Sequence, residues 1–163
     1  MEIRLEPVTE ADLPLLAGGD SPFDDFGPRP PRSGPPPAVL REPGAFAVRD
    51  GGGVLLGDVT WIWQQWGPMP DSRNPMIGIW MRPEARGRGA GTAAQVALVD
   101  LFFRHTSVHR VEAATDVANH AEQRSLEKAG FTREGTARGS QWRDGAFRDL
   151  YLYSVLRPEW SGA

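Results

Sequence analysis

The chain has 163 residues, of which 40% are hydrophobic and 24% are charged, and its formal net charge is −3. This length fits one domain, and this composition excludes collagen-like, coiled-coil and wholly disordered proteins. The acidic balance disfavours a nucleic-acid binder, which needs a basic surface. With no cysteine there is no thiolate metal site or cysteine nucleophile, and we expect no bound metal. Lacking a signal peptide and any apolar run of about 18 residues, the chain is expected to be cytoplasmic, with no membrane contact.

The hydrophobic pattern predicts strands and helices that mix without a repeated strand–helix–strand period. A first strand is expected over 2–6, and Thr9, Glu10 and Asp12 predict the start of a short helix that Gly18 ends. The later predictions are strands over 45–49, 54–63, 76–81 and 110–115, helices over 92–104 and 121–129, and a hairpin of strands 131–141 and 148–156. Together they predict a single α+β domain over 1–163, with one mostly antiparallel sheet flanked by helices.

Residues 18–44 differ from the rest of the chain, because ten of the fifteen prolines fall within the first 43 residues. One interpretation is a solvated loop. The other is a substrate-facing loop, in which interleaved aromatic rings and carboxylates, Asp20 among them, would favour a cationic amine. The residues that would bind it are Phe23, Asp24, Asp25, Phe26 and, from the strand over 54–63, Trp63. For Trp63 the alternative is packing in the core.

A glycine-rich segment, Arg86-Gly87-Arg88-Gly89-Ala90-Gly91-Thr92, separates the strand over 76–81 from the helix over 92–104. Glycines let several amide groups point at one anion, and a helix start adds further unpaired donors. Arg86 and Arg88 contribute full positive charges that suit phosphate oxygens. The segment therefore predicts a phosphate or pyrophosphate site, although the Walker and dinucleotide motifs are not matched. A plain glycine-rich turn with solvated arginines is the alternative.

Arg86-x-x-Gly89-x-Gly91 resembles the acetyl-coenzyme A signature of the Gcn5-related N-acetyltransferase (GNAT) superfamily. A second segment, Asn119 to Phe131, resembles the N-x(4)-R-x-L-E-K-x-G-F stretch of the branch related to ribosomal-protein N-terminal acetyltransferases. The resemblance implies the GNAT fold, with splayed central strands and acetyl-coenzyme A as the cofactor. It implies pyrophosphate contacts from residues 86–92 and pantetheine contacts from Ile79, Trp80, Met81 and Asn119. Arg124 could approach the phosphates, or could belong to a solvated helix face.

The absence of cysteine excludes an acyl-cysteine relay, so we expect direct transfer of the acetyl group to a primary amine in a ternary complex. The acceptor is a small molecule or a peptide N-terminus. The resemblance points to a backbone N–H near Met81 as the donor to the oxyanion. A coenzyme A-binding regulatory or catalytically degenerate module is the alternative function, and a homodimer is a family-level expectation.

The proton-transfer groups are predicted less directly. Glu112, acting through water, is the first candidate for the general base and Asp116 the second, while an ion pair with Arg110 is the alternative for Glu112. The resemblance implies a tyrosine acid at position 126, where this chain has leucine. Tyr151 and Tyr153, which share one face of the last strand, could replace it or could be packed aromatics.

Overall fold

The computed structural model describes residues 2–30 and 33–161, and its central feature is one sheet of seven strands. The strands are β1 (Ile3–Pro7), β2 (Gly44–Asp50), β3 (Leu55–Gln65), β4 (Arg73–Met81), β5 (Arg110–Asp116), β6 (Thr132–Arg143) and β7 (Ala146–Leu156). Their order is β1-β2-β3-β4-β5-β7-β6. Among the described strands only β4 and β5 pair in parallel. This confirms the predicted α+β class and the mostly antiparallel sheet.

Strands β4 and β5 diverge in the middle of the sheet. β4 pairs with β3 along its whole length, from Gln65↔Arg73 to Gly57↔Met81. Its pairing with β5 covers only Met76↔Glu112 and Ile77↔Ala113. A gap therefore opens between the two strands beyond Ile77, which confirms the predicted splayed central strands.

Two α-helices, α1 (Ala90–His105) and α2 (His120–Lys128), lie on one face of the sheet. α1 buries Leu98, Val99 and Phe102 completely against the sheet. Trp61 of β3 meets the Phe102 ring edge-on, with ring centroids 5.8 Å apart, a geometry that aromatic pairs prefer. At the other end of the helix Ala90 belongs to the same core as Met81, so the start of α1 and the glycine-rich segment lie beside the end of β4.

The opposite face is covered by a 3-10 helix over Glu10–Leu16 and by the segment that follows it. A helix was predicted after Thr9, and the structure has a short 3-10 helix there because Pro14 lacks the amide that an α-helix would use. The backbone N–H and the hydroxyl of Thr9 both donate to Asp12, at 2.9 and 2.8 Å. Leu16 and the β2 residues Ala45 and Ala47 form a second, smaller core.

The ends of several strands and helices differ from the predicted positions. The connection predicted over residues 64–75 is shorter than expected, because β3 continues to Gln65 and β4 begins at Arg73. A 3-10 turn over Pro70–Ser72 lies between these two strands. Both α-helices begin one or two residues before the predicted positions. The last hairpin turns at Asp144 and Gly145, whose φ angles are +49° and +73°. Such left-handed pairs match the twist of a two-residue hairpin loop.

The proline-rich loop lies across the sheet face opposite α1 and α2. Of residues 18–43 the structure describes all but Pro31 and Arg32, and the described part contains no helix or strand. Asp24 accepts a hydrogen bond from Trp80 of β4, and the Asp25 carbonyl accepts one from the Asp144 amide. The loop therefore reaches from β4 to the last hairpin, over the β4–β5 gap. No helix among the described residues has the length and apolar character needed to span a membrane.

Candidate functional site

The glycine-rich turn presents free amide groups to an open cleft. Gly87 and Gly89 have φ angles of +72° and +81°, and a Cβ at either position would meet no atom within 4 Å. The amides of residues 87–92 donate no hydrogen bond to any described part of the chain. They lie at the start of α1, where the helix dipole also favours a negative charge. The turn can therefore bind a phosphate group through its main chain.

The end of β4 contributes further donors at the gap. The Arg82 amide donates to the Leu56 carbonyl of β3 at 2.9 Å. Because amide directions alternate along a strand, the N–H groups of Ile79 and Met81 point away from β3, towards the diverging β5. The side chains alternate too: Ile79 and Met81 pack on the α1 face, whereas Trp80 packs on the opposite face. β4 thus offers main-chain donors inside the gap.

These parts line one cleft of about 540 Å³. One wall comes from the glycine-rich turn, the start of α1 and α2. The other wall comes from the loop, through Ser21, Phe23 and Asp24. The predicted cofactor residues that line it are Ile79, Trp80, Met81, Arg86, Gly87, Gly89, Gly91, Thr92, Asn119 and Arg124. Arg88 is exposed outside this lining, and Ala90 is buried in the core.

The Arg86 side chain was predicted to be free to bind phosphate, but in the structure it is engaged in contacts within the protein. Its Nε donates to the Met81 carbonyl at 2.8 Å, and its Nη1 pairs with Asp20 of the loop at 2.6 Å. The guanidinium is therefore held between β4 and the loop. The turn amides therefore remain available to an anion, whereas the Arg86 guanidinium is already engaged.

A chain of polar side chains joins α1 to α2 beside the turn. The Ser125 hydroxyl donates to Gln95 Oε1 at 2.9 Å, and Gln95 Nε2 donates to Glu122 Oε1. Since Ser125 uses its proton on Gln95, the 3.0 Å contact between Thr92 and Ser125 must have Thr92 as the donor. Thr92, Glu122 and Ser125 all line the cleft.

Glu122 is a cleft residue that the sequence analysis missed. Its backbone N–H donates to the Asn119 side chain at 3.2 Å, which caps α2. Burial raises the pKa of its carboxyl to about 7, while the hydrogen bond from Gln95 acts in the opposite direction. The available signal was its position three residues after Asn119, on the same helix face.

The loop side of the cleft holds two unlike carboxyl groups. Trp80 Nε1 donates to Asp20 Oδ1 at 3.3 Å and to Asp24 Oδ2 at 3.1 Å. The hydrogen bond from Arg86 lowers the pKa of Asp20, whereas burial raises the pKa of Asp24. The guanidinium of Arg143 lies over the ring of Phe23, 5.6 Å from its centroid. Phe23 and Asp24, two of the predicted acceptor residues, thus lie on this wall of the cleft.

Glu112, the first candidate for the general base, lies elsewhere. It is 2% exposed and does not line the cleft. Its Oε1 accepts hydrogen bonds from Trp66 at 2.6 Å, from Asn74 at 3.3 Å and from Arg110 at 2.8 Å. An oxygen with three donors is poorly placed to take a substrate proton. The structure therefore contradicts the general-base role and shows the alternative, the ion pair with Arg110.

The other proton-transfer candidates also form structural contacts within the protein. Asp116 forms a buried ion pair with Arg143. Tyr153 is fully buried in the main core, its hydroxyl donates to Glu127 at 3.4 Å, and burial raises its pKa. Tyr151 packs against the same core, with the Arg133 guanidinium 4.5 Å from its ring centroid. Neither tyrosine lines the cleft, so the alternative of packed aromatics holds.

Three predicted acceptor residues lie outside the cleft. Trp63 packs edge-on against Phe102 at 6.0 Å, on the α1 face, so the core alternative is correct. Asp25 and Phe26 line a neighbouring cavity of about 710 Å³ between the loop and the first 3-10 helix. The Asp25 carboxylate accepts the Gly27 amide at 3.0 Å, which is a local turn contact.

Comparison with known proteins gives the following similarities. Residues 2–132 match the family model described as an acetyltransferase (GNAT) domain. A putative ribosomal N-acetyltransferase, YdaF of Bacillus subtilis, is 35% identical over 91 residues, which are 56% of this chain and 50% of that protein. The chain spans about half the length of the curated relatives it matches.

Two solved structures are also similar. Mycobacterium smegmatis RimJ in complex with CoA-disulfide has a TM-score of 0.67 and 25% identity, over 75% of this chain and 56% of that one. Spermidine N-acetyltransferase from Vibrio cholerae in complex with CoA and spermine has a TM-score of 0.76 and covers 97% of both chains. Its identity is 18%, so this second match shows a shared fold.

Proposed function

The chain belongs to the GNAT acetyltransferase family, and from that premise we propose that it is an N-acetyltransferase that uses acetyl-coenzyme A. The observation that carries the proposal is the row of uncommitted amides over residues 87–92, beside a gap in the sheet. A diphosphate fits this turn, because its glycines leave the main chain open to the cleft. The similarity to RimJ, solved with CoA-disulfide, supports the same assignment.

Acetyl-coenzyme A supplies the acetyl group as a thioester, and the chain's own residues hold and orient it. The amides of the turn would bind the diphosphate, and Asn119, which lines the same cleft, would contact the pantetheine arm. The N–H groups of Ile79 and Met81 point into the gap, where they can hydrogen-bond the thioester carbonyl oxygen. Because the chain has no cysteine, we propose direct transfer to an amine that enters from the loop side.

The acceptor that this wall favours is a cationic primary amine, on a small molecule or at a peptide N-terminus. Asp24 and the aromatic rings of Phe23 and Trp80 line the cleft opposite the turn. A carboxylate and aromatic faces attract ammonium groups. Asp25 provides a matched control, since it is the neighbouring carboxylate outside the cleft. We expect Asp24→Asn to raise the KM of cationic acceptors at least several-fold and Asp25→Asn to leave it unchanged. Equal effects of the two variants would contradict this assignment.

Calorimetry with coenzyme A tests the cofactor site. Gly89→Asp should weaken binding by more than tenfold, because it places a negative charge and an unfavourable backbone angle at the turn. Gly139→Asp is the matched control: Gly139 also has a positive φ, +56°, and open space around it, and it lies in β6 outside the cleft. Wild-type affinity in Gly89→Asp would refute the site.

Thiol release with a panel of amines tests the reaction. The panel contains a polyamine, an amino acid and a peptide with a free N-terminus. Release of free coenzyme A that depends on the amine is the expected result. Tight coenzyme A binding without release for any amine would favour the alternative, a coenzyme A-binding regulatory or catalytically degenerate module.

A further inference from the structure

We propose that Glu122 takes part in binding the donor as a neutral carboxylic acid, so that its Oε2 carries a proton and donates a hydrogen bond into the cleft. This inference rests on the proposed function, since it concerns the same coenzyme A site. It assigns a role to a half-buried carboxyl group that lines the cleft and that the proposed contacts of the turn and of β4 with the donor do not involve. Binding would then take up one proton from solution, which joins the Glu122 carboxylate.

The directions of the hydrogen bonds fix which oxygen can carry the proton. Gln95 Oε1 accepts from Ser125, so Gln95 must present its amide NH₂ to Glu122. With this orientation of the Gln95 amide, Glu122 Oε1 is an acceptor in both protonation states. Oε2 accepts no hydrogen bond from any described residue, and Glu122 lines the cleft. A proton on Oε2 is thus free to form a hydrogen bond with a ligand in the cleft.

No direct ion pair stabilises the ionised form of Glu122. Within the described ranges 2–30 and 33–161 it forms no ion pair. From α1 its hydrogen-bond partner is the uncharged Gln95. The charged or titratable groups that share its cleft are Asp24 of the loop, Arg86 of the turn, and Arg124 and Lys128 of α2. On α2 itself His120 is exposed two residues away.

A negatively charged diphosphate in the same cleft would further disfavour the ionised form of Glu122. Like charges within one partly desolvated site disfavour each other's ionised form. Burial already raises the pKa of Glu122 to about 7, so the neutral form is well populated near neutral pH. The neutral acid also supplies a donor to an oxygen of the ligand, which the carboxylate could not do. Binding and protonation therefore favour each other.

The test is calorimetry with 3′-dephospho-coenzyme A, whose phosphates do not titrate near neutral pH. Titrations at pH 7.5 in two buffers of different ionisation enthalpy give the number of protons taken up. We expect between half a proton and one proton for the wild type and none for Glu122→Gln. Wild-type affinity should be about tenfold weaker at pH 8 than at pH 6, because only the neutral fraction binds. The affinity of Glu122→Gln should not follow pH.

Two further variants separate Glu122 from its neighbours. Glu84→Gln removes an exposed carboxylate before the turn, where Glu84 pairs with Arg82, and should keep the proton uptake. Asp24→Asn removes the carboxyl group on the loop wall of the cleft and should also keep the proton uptake. Glu122→Ala repeats the measurement if the glutamine variant does not fold.

The outcomes distinguish this inference from the proposed function. A wild type that binds no dephospho-coenzyme A at any pH would refute the proposed function. Binding without proton uptake, or with uptake that persists in Glu122→Gln, would overturn the role of Glu122 while leaving the coenzyme A site in place.

Discussion

Replacing Glu122 by glutamine should change the pH dependence of stability in the ligand-free protein. Burial raises the pKa of this carboxyl from 4.5 to about 7. Between these values the unfolded chain loses the proton while the folded chain keeps it, so stability falls as pH rises and levels off above pH 7. The difference corresponds to about 3.4 kcal/mol at most. Since the cleft is open to solvent, which screens part of the effect, we expect about 2 kcal/mol.

Urea unfolding of both proteins between pH 4.5 and pH 8 measures this effect. Glutamine retains the shape of Glu122 and can accept from Gln95, so the difference in unfolding free energy isolates the titration. Between pH 4.5 and 7.5 the stability of Glu122→Gln relative to the wild type should rise by about 2 kcal/mol, which corresponds to about 4–8 °C in Tm. Glu84→Gln is the control for loss of one carboxylate. A difference in unfolding free energy that stays constant across this pH range would show that burial does not raise the pKa of Glu122. The proposed role of Glu122 as a neutral acid would then lose its support.

Three other substitutions, the first with a matched control, test the packing around the site. Gly57→Ala should lower the free energy of unfolding, measured in urea, by about 1–3 kcal/mol, because the added Cβ would overlap the facing main chain of β4. Gly135→Ala in β6 is the control: its Cβ would meet nothing within 4 Å, so the free energy of unfolding should change by no more than about 1 kcal/mol. Arg143→Met should cost about 3–5 kcal/mol, because it leaves Asp116 buried without its partner; no loss would refute the buried pair. Glu112→Gln should lower stability by about 1–3 kcal/mol and leave the pH profile of kcat unchanged, while loss of the acidic limb of that profile, where a general base becomes protonated, would restore the general-base role.

The sequence could predict the anion-binding turn because its chemistry is local. Gly87 and Gly89 adopt the left-handed angles that favour glycine, and the amides they orient belong to neighbouring residues. The same holds for the Asp144–Gly145 hairpin turn. In each case the residues that fix the geometry are adjacent in the chain, so a short pattern contains the information.

The proton-transfer candidates could not be chosen in this way. Glu112 and Asp116 both occur on a strand that leads to the cleft, and alternation alone placed them near it. Their actual partners are remote in sequence: Trp66 is 46 residues from Glu112, and Arg143 is 27 from Asp116. Whether a carboxylate is free or saturated depends on such contacts, which no local pattern contains.

The sequence by itself thus determined the order of strands and helices, the glycine-rich turn and the absence of a cysteine nucleophile. The tertiary structure alone decided that the loop reaches the cleft, that Asp20 holds Arg86 across 66 residues, and that Gln95 turns its amide towards Glu122. The physical reason is that backbone angles follow from near neighbours. Burial and hydrogen-bond partners, which set charge and reactivity, follow from packing between segments far apart in the chain.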